Sequence, residues 1–394
     1  MTPEPTPAPD ALPDPTPARG AAPHLTPAPD AFRKRFPALE RRVHLAGCSL
    51  GARSTDLDGA LARMLDDMAD GGAPWALFEE QVRLAREQFA ALVGARTDQV
   101  AVVPNASVGA YQVASALEWT ERPKVVTATL EFPSVAHVWL AQRPRGAEVV
   151  HVARADEYAA AADARTRLVS VPLIGYQYAD RLPVEDIARA AHEAGGEVFV
   201  DAYQAVGVAP VDVRELGCDY LVAGTAKYLL GLPGLAFLYV REPARMDREP
   251  RLTGWFGRVD PFAFDPTRLD FAPTAARFET GTPAIPACYA ANAGLGLIRS
   301  LDPETVRAHV HDLGDLAADR LTALGHRVRA VPRERRGAHI GLLTPDPPAL
   351  AAHLADRGIA VSPRGDVVRL SFHYYNNADD VAALCAALGA PKQH

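Results

Sequence analysis

The chain has 394 residues, enough for two or three domains' worth of core, and its make-up of 48% hydrophobic and 23% charged residues is ordinary for a globular protein. A net charge of −7 gives no reason to expect a polyanion partner, so no nucleic acid is expected, and no run of 18 apolar residues predicts a membrane span. Four widely spaced cysteines (Cys48, Cys218, Cys288 and Cys385) lack metal-ligand spacing, which leads us to expect reduced thiols, a cytoplasmic protein and no metal site.

About a third of the first thirty residues are proline, and Thr-Pro-Ala-Pro-Asp-Ala occurs at Thr6 and again at Thr26. Such a segment buries too little apolar surface to offset its ordering entropy, so residues 1–31 are expected to be disordered or extended. Folded chain is expected from Phe32, with an arm over residues 32–51 that contains the strand-like, glycine-rich VHLAGCSLG (43–51). A helix follows Ser54 or Thr55 as its N-cap, carrying Leu57, Leu61, Met64, Leu65 and Met68 at helical spacing. A second helix starts after Pro74 and ends at Gly94, a plausible C′ glycine.

The run VAVVPNASVGAYQV (100–113) reads as a buried strand turning into a helix at Asn105-Ala106-Ser107. Free backbone N–H groups and the helix dipole favour a phosphate at such a turn, although the same residues also fit an ordinary N-cap. Further buried strands are expected around 125–128 and 168–173, the first running on into Glu131-Phe132-Pro133-Ser134. An amphipathic helix between Pro183 and Gly195 leads into VFVD, which completes the βαβ rhythm of a mainly parallel sheet.

The stretch from Val198 to Val240 carries the chemistry. Three apolar runs end in turn-forming residues: VFV at Asp201, DYLVAG at Thr225-Ala226-Lys227, and LAFLYV after a Gly-Leu-Pro-Gly turn. Only four lysines exist, Lys34, Lys124, Lys227 and Lys392, and Lys227 alone sits in an apolar, glycine-punctuated setting beyond a strand end. An ammonium is costly there unless it has work to do; the bland alternative is a lysine snorkelling from a sheet edge. One chemistry uses an Asp and a Lys at neighbouring strand ends. Pyridoxal 5′-phosphate (PLP) bonds to a lysine amine and needs a carboxylate to keep its ring nitrogen protonated.

Asp201-x-x-Gln204, followed by Lys227 and a G-x-P-G turn, resembles the class V aminotransferase superfamily of fold-type I PLP enzymes. By segments the chain is most similar to kynureninase and its relatives: GCSLG (47–51), FPS (132–134), KYL (227–229) and GWFG (254–257). RFETGTP (277–283) and VVRLSFHYYNNADDV (367–381) resemble wider superfamily segments. The resemblance implies a doubly wound, mainly parallel α/β domain over residues 52–290, with LAFLYV its antiparallel strand. A smaller α+β C-terminal domain over 291–394 would pack with the arm.

It also implies site roles. Lys227 is the catalytic, cofactor-bonded lysine, Asp201 faces the ring nitrogen, Gln204 donates to the phenolic oxygen, and Phe132 stacks on the ring or else lies in the core. Ala106 and Ser107 hold the phosphate, and Thr225 and Trp255 contact the cofactor, Trp255 being otherwise a packing residue. Thr282 reaches the cofactor of a second copy, which implies a homodimer. Arg369 binds the carboxylate of a small-molecule amino-acid substrate, or else serves as a surface ion-pair partner. Cys48 approaches that substrate, or else sits in a structural loop.

Three departures argue against kynureninase itself: Ala226 stands where that family has Tyr, and Gln204 and Arg258 stand where it has His. No cysteine precedes Arg369 in 361–365, which disfavours persulfide chemistry. The expected activity is side-chain cleavage of an amino acid by a lyase or hydrolase. The alternatives are an aminotransferase or an inert PLP-binding protein.

Overall fold

The computed structural model describes residues 26–246 and 248–389, and most of the proline-rich tail expected over 1–31 lies outside the described residues. A seven-stranded sheet forms the centre. In chain order its strands are β1 (Val100–Val103), β2 (Lys124–Ala128), β3 (Glu148–Val152), β4 (Thr166–Pro172), β5 (Glu197–Asp201), β6 (Tyr220–Gly224) and β7 (Ala236–Val240). They lie side by side in the order β1-β7-β6-β5-β4-β2-β3. Pairings from β3 across to β6 are parallel, and β7 pairs antiparallel with both β6 and β1, as expected for LAFLYV. Strands β6 and β7 are buried at every position, which is why they read as unbroken apolar runs.

Helix boundaries follow the local signals. Ser54 caps Thr55–Gly71 by accepting from the Leu57 N–H at 3.1 Å. Helix Trp75–Leu92 closes before Gly94, whose φ of +70° suits a residue without Cβ. The apolar stripe of the first helix is only partly used: Leu57 and Met64 are buried, whereas Leu65 and Met68 face outward.

The C-terminal part is a four-stranded antiparallel sheet. Its strands are β8 (Val328–Arg329), β9 (His339–Leu343), β10 (Ser362–Arg364) and β11 (Val367–Ser371), in the order β10-β11-β9-β8. The arm joins it through a two-residue parallel pairing of Val43–His44 with Ile359–Ala360.

Packed structure is present before Phe32. The second Thr-Pro-Ala-Pro-Asp-Ala copy, expected to be extended or disordered, is held by the C-terminal part. Asp302 N–H donates to Thr26 Oγ1 at 2.8 Å, and the Tyr374 hydroxyl donates to the Pro27 carbonyl at 2.9 Å. Pro29 then opens helix Pro29–Arg33, where its fixed φ is favourable, and Phe32 on that helix is buried.

Candidate active site

Parallel strands expose their C-terminal ends along one edge of the sheet, the place where open α/β sheets bind ligands. A cavity of about 550 Å³ lies there. Its walls come from the segments that leave β1, β2, β4, β5 and β6, and it brings together Ala106, Ser107, Phe132, Asp201, Gln204 and Lys227. A larger groove of about 900 Å³ is lined by Arg96, Arg214, Arg241 and Arg245. Those guanidiniums are paired with Asp98, Asp212, Asp219 and Glu242, so the groove offers no uncommitted charge from them.

Lys227 follows β6 by a tight turn in which the Leu230 N–H donates to the Lys227 carbonyl. The side chain is largely enclosed, and among the described residues its amine has ring faces rather than hydrogen-bond acceptors for neighbours: Tyr203 at 4.4 Å and Phe132 at 5.5 Å. Burial pushes the amine down to about 8, with Asp201 pulling the other way and Arg369 and Arg364 adding to the depression. A lysine tuned in this way is a nucleophile and base near neutral pH.

Asp201 ends β5, buried, with Oδ1 accepting from the Tyr203 N–H at 2.9 Å. Burial raises its carboxyl above the usual range, against the opposing effects of that N–H and of Lys227. Glu131 is a second buried carboxyl. It accepts from Ser170 Oγ at 3.1 Å and from the Phe132 N–H at 3.0 Å, and burial followed by the Asp201 charge pushes it up to about 8.

Gln204 Nε2 donates to the Cys48 carbonyl at 3.0 Å, whereas its buried Oε1 has no partner among the described residues. The amide keeps one N–H in reserve. Asn105 caps helix Ala106–Ala116 through the Val108 N–H at 3.0 Å, leaving the first N–H groups of that helix at the cavity. Ser107 Oγ donates to the Ser134 carbonyl at 3.1 Å, so its proton is committed within the protein.

Other expected site residues stand outside the cavity wall. Thr225 is fully buried, and its hydroxyl donates to the Leu232 carbonyl at 2.7 Å, which braces the lysine loop rather than facing the cavity. Cys48 is buried between Gln204 and Ser371, held by its backbone. Trp255 packs among Trp75, Phe262 and Phe264, and Thr282 is exposed. Neither lines the cavity of its own chain. Arg258, the residue in place of the family His, pairs with Asp270 at 3.1 Å.

Arg369 lies on β11, almost wholly buried. Its guanidinium donates to the Tyr176 carbonyl at 2.8 Å and to Ser362 Oγ at 2.6 Å, and Nε has no partner among the described residues. Tyr176 itself lines the cavity, so the arginine stands one residue behind the wall. His339, on the neighbouring strand, is buried, and burial and then Arg369 hold it neutral, down to about 3.

Tyr203, Tyr176, Glu131 and His339 were not anticipated. Glu131 alone left a signal, as an isolated charge at the exit of an apolar run.

Residues 74–384 match the aminotransferase class-V family. An uncharacterized aminotransferase of Bacillus subtilis, YcbU, is 33% identical over 93% of this chain and 99% of its own. The kynureninase of Pseudomonas fluorescens is 29% identical over 83% of each chain. Among solved structures, the cystine C-S lyase C-DES bound to its product cysteine persulfide superposes with a TM-score of 0.82 at 20% identity, over 90% of this chain and all of that one (100%).

The cavity fits a cofactor bearing an aldehyde, a basic ring nitrogen and a phosphate. It offers an amine on Lys227 that is unpaired among the described residues, a buried carboxyl on Asp201 and the open N–H groups of a helix start. The chain belongs to the aminotransferase class-V family of pyridoxal 5′-phosphate-dependent enzymes.

Proposed function

We propose that Lys227 carries the cofactor in this cavity and that the enzyme cleaves the side chain of a small amino-acid substrate, as a lyase or hydrolase related to kynureninase. The observation that carries the reading is the Lys227 amine, enclosed without a hydrogen-bond acceptor among the described residues and lowered to about 8, in a cavity shared with Asp201. The bound cofactor supplies an electron sink for charge developing at the substrate α-carbon.

The protein's own groups do the rest. Asp201 holds a proton on the ring nitrogen by electrostatic attraction. Gln204 turns its spare N–H toward the phenolic oxygen, and Phe132 covers one ring face. Backbone N–H groups at Ala106 and Ser107 receive the phosphate. Arg369 draws the substrate carboxylate toward the Tyr176 wall, using the directional donors of a guanidinium, while Cys48 acts from behind the wall, through the backbone that holds Gln204. Lys227 would move the proton at the substrate α-carbon.

In this reading Thr225 acts through the loop it braces. Trp255 and Thr282, which do not line the cavity of their own chain, serve the cofactor of a second copy in a homodimer. The chain divides into an arm (32–51), a cofactor-binding domain (52–290) and a smaller C-terminal domain (291–394), and four unpaired thiols suit the cytoplasm. A second reading, transamination, is favoured by the 33% identity to the uncharacterized aminotransferase.

Incubating the holoenzyme with a panel of amino acids, kynurenine among them, and weighing the products separates these readings. A shortened amino acid supports cleavage. A keto acid with amino-form cofactor supports transamination and overturns cleavage.

A further inference from the structure

One phenol lies where the lysine loop begins. Tyr203 follows the end of β5, and its ring centroid stands 4.4 Å from Lys227 Nζ. The ring crosses the backbone of Gly224, the last residue of β6, so closely that a Cβ there would overlap Cζ and Oη. Among the described residues nothing accepts the phenol's own proton.

The other hydroxyls expected around the cofactor are committed or missing. Ser107 donates to the Ser134 carbonyl and Thr225 to the Leu232 carbonyl, and residue 226 is an alanine. Helix Ala106–Ala116 lies against β6, since a Cβ on Gly109 would come within 3.1 Å of Val222 Cγ2. Ala106 and Ser107 at its N-terminus line the same cavity as Tyr203 and Lys227, and the Tyr203 ring covers the Gly224 strand end.

We propose that the Tyr203 hydroxyl donates a hydrogen bond to the phosphate of the bound cofactor, completing a cradle begun by the helix N–H groups of Ala106 and Ser107. The assignment rests on the cofactor reading above. Burial, and after it the Asp201 charge, push the phenol up to about 12, so it stays a donor through the neutral range. Gly224 is needed because any side chain there displaces the ring.

The test compares two ligands on the apo-protein: PLP, and pyridoxal, which lacks the phosphate. Dissociation constants from fluorescence titration are measured for wild type, Tyr203→Phe and Gly224→Ala. A lost charge-assisted hydrogen bond predicts that both variants bind PLP at least about tenfold more weakly, with pyridoxal changed by no more than about twofold. Unchanged PLP affinity, or equal losses for both ligands, overturns the proposal and leaves Tyr203 a ring contact. If wild type binds neither ligand, the cofactor reading itself fails and the proposal falls with it.

Discussion

Gln204 Nε2 donates to the Cys48 carbonyl at 3.0 Å, while the Cys48 N–H donates to Ser371 Oγ at 2.8 Å. One backbone unit of the arm thus joins the end of β5 to β11, the strand that carries Arg369. Both ends of this link are buried, so breaking it leaves polar groups without water. Gln204→Ala should lower stability by about 1–2 kcal/mol in denaturant unfolding. An unchanged midpoint would mean that the arm is held without it.

Lys227 sets a pH window. Its amine is lowered to about 8 in the fold against an ordinary 10.5, so between those values the unfolded chain binds more protons and this group's contribution to stability rises with pH. Reductive methylation of the apo-protein, followed peptide by peptide in a mass spectrometer, should show Lys227 reacting with a midpoint near pH 8. A midpoint near 10.5 would contradict the enclosed amine.

Glu131 acts in the opposite sense. Its folded carboxyl is raised to about 8 from an ordinary 4.5, so the stability it contributes is complete below 4.5 and is lost as pH rises through about 8. Glu131→Gln should flatten that decline, with denaturation midpoints compared at about pH 5 and about pH 8. A variant that declines as steeply as wild type would place the proton elsewhere.

Arg369→Lys exchanges a planar fork for a point charge. Losing directional, charge-assisted bonds worth about 1.5–3 kcal/mol should raise KM roughly ten- to a hundredfold while leaving PLP affinity intact. Steady-state kinetics with the substrate found in the panel, beside a cofactor titration, checks both halves. An unchanged KM would remove Arg369 from the substrate.

The sequence made some of this site legible and hid the rest, for identifiable reasons. Asp201, Gln204 and Lys227 could be read because polar residues at the ends of apolar strands have few places to go except the C-terminal edge of the sheet. Helix starts at Ser54 and Asn105 were written in their capping side chains. Tyr203 was hidden although it lies between Asp201 and Gln204. Its reach to Lys227 depends on the missing Cβ of Gly224, which is more than twenty residues away in sequence and adjacent only once β5 and β6 pair. Thr225 carries the right atoms, but a nearby carbonyl takes its proton first. The second proline-rich repeat looked like tail because the partners of Thr26 and Pro27 lie some 280 and 350 residues on, at Asp302 and Tyr374.

The central claim is that Lys227 is the residue to which the cofactor is bonded. Absorption spectra of wild type and Lys227→Ala after reconstitution with PLP test it most directly. The account predicts a visible Schiff-base band in wild type that survives as a covalent adduct on the Lys227 peptide after borohydride reduction, with neither band nor adduct in the variant. A band of equal strength in Lys227→Ala, or an adduct on Lys34, Lys124 or Lys392 instead, would contradict it.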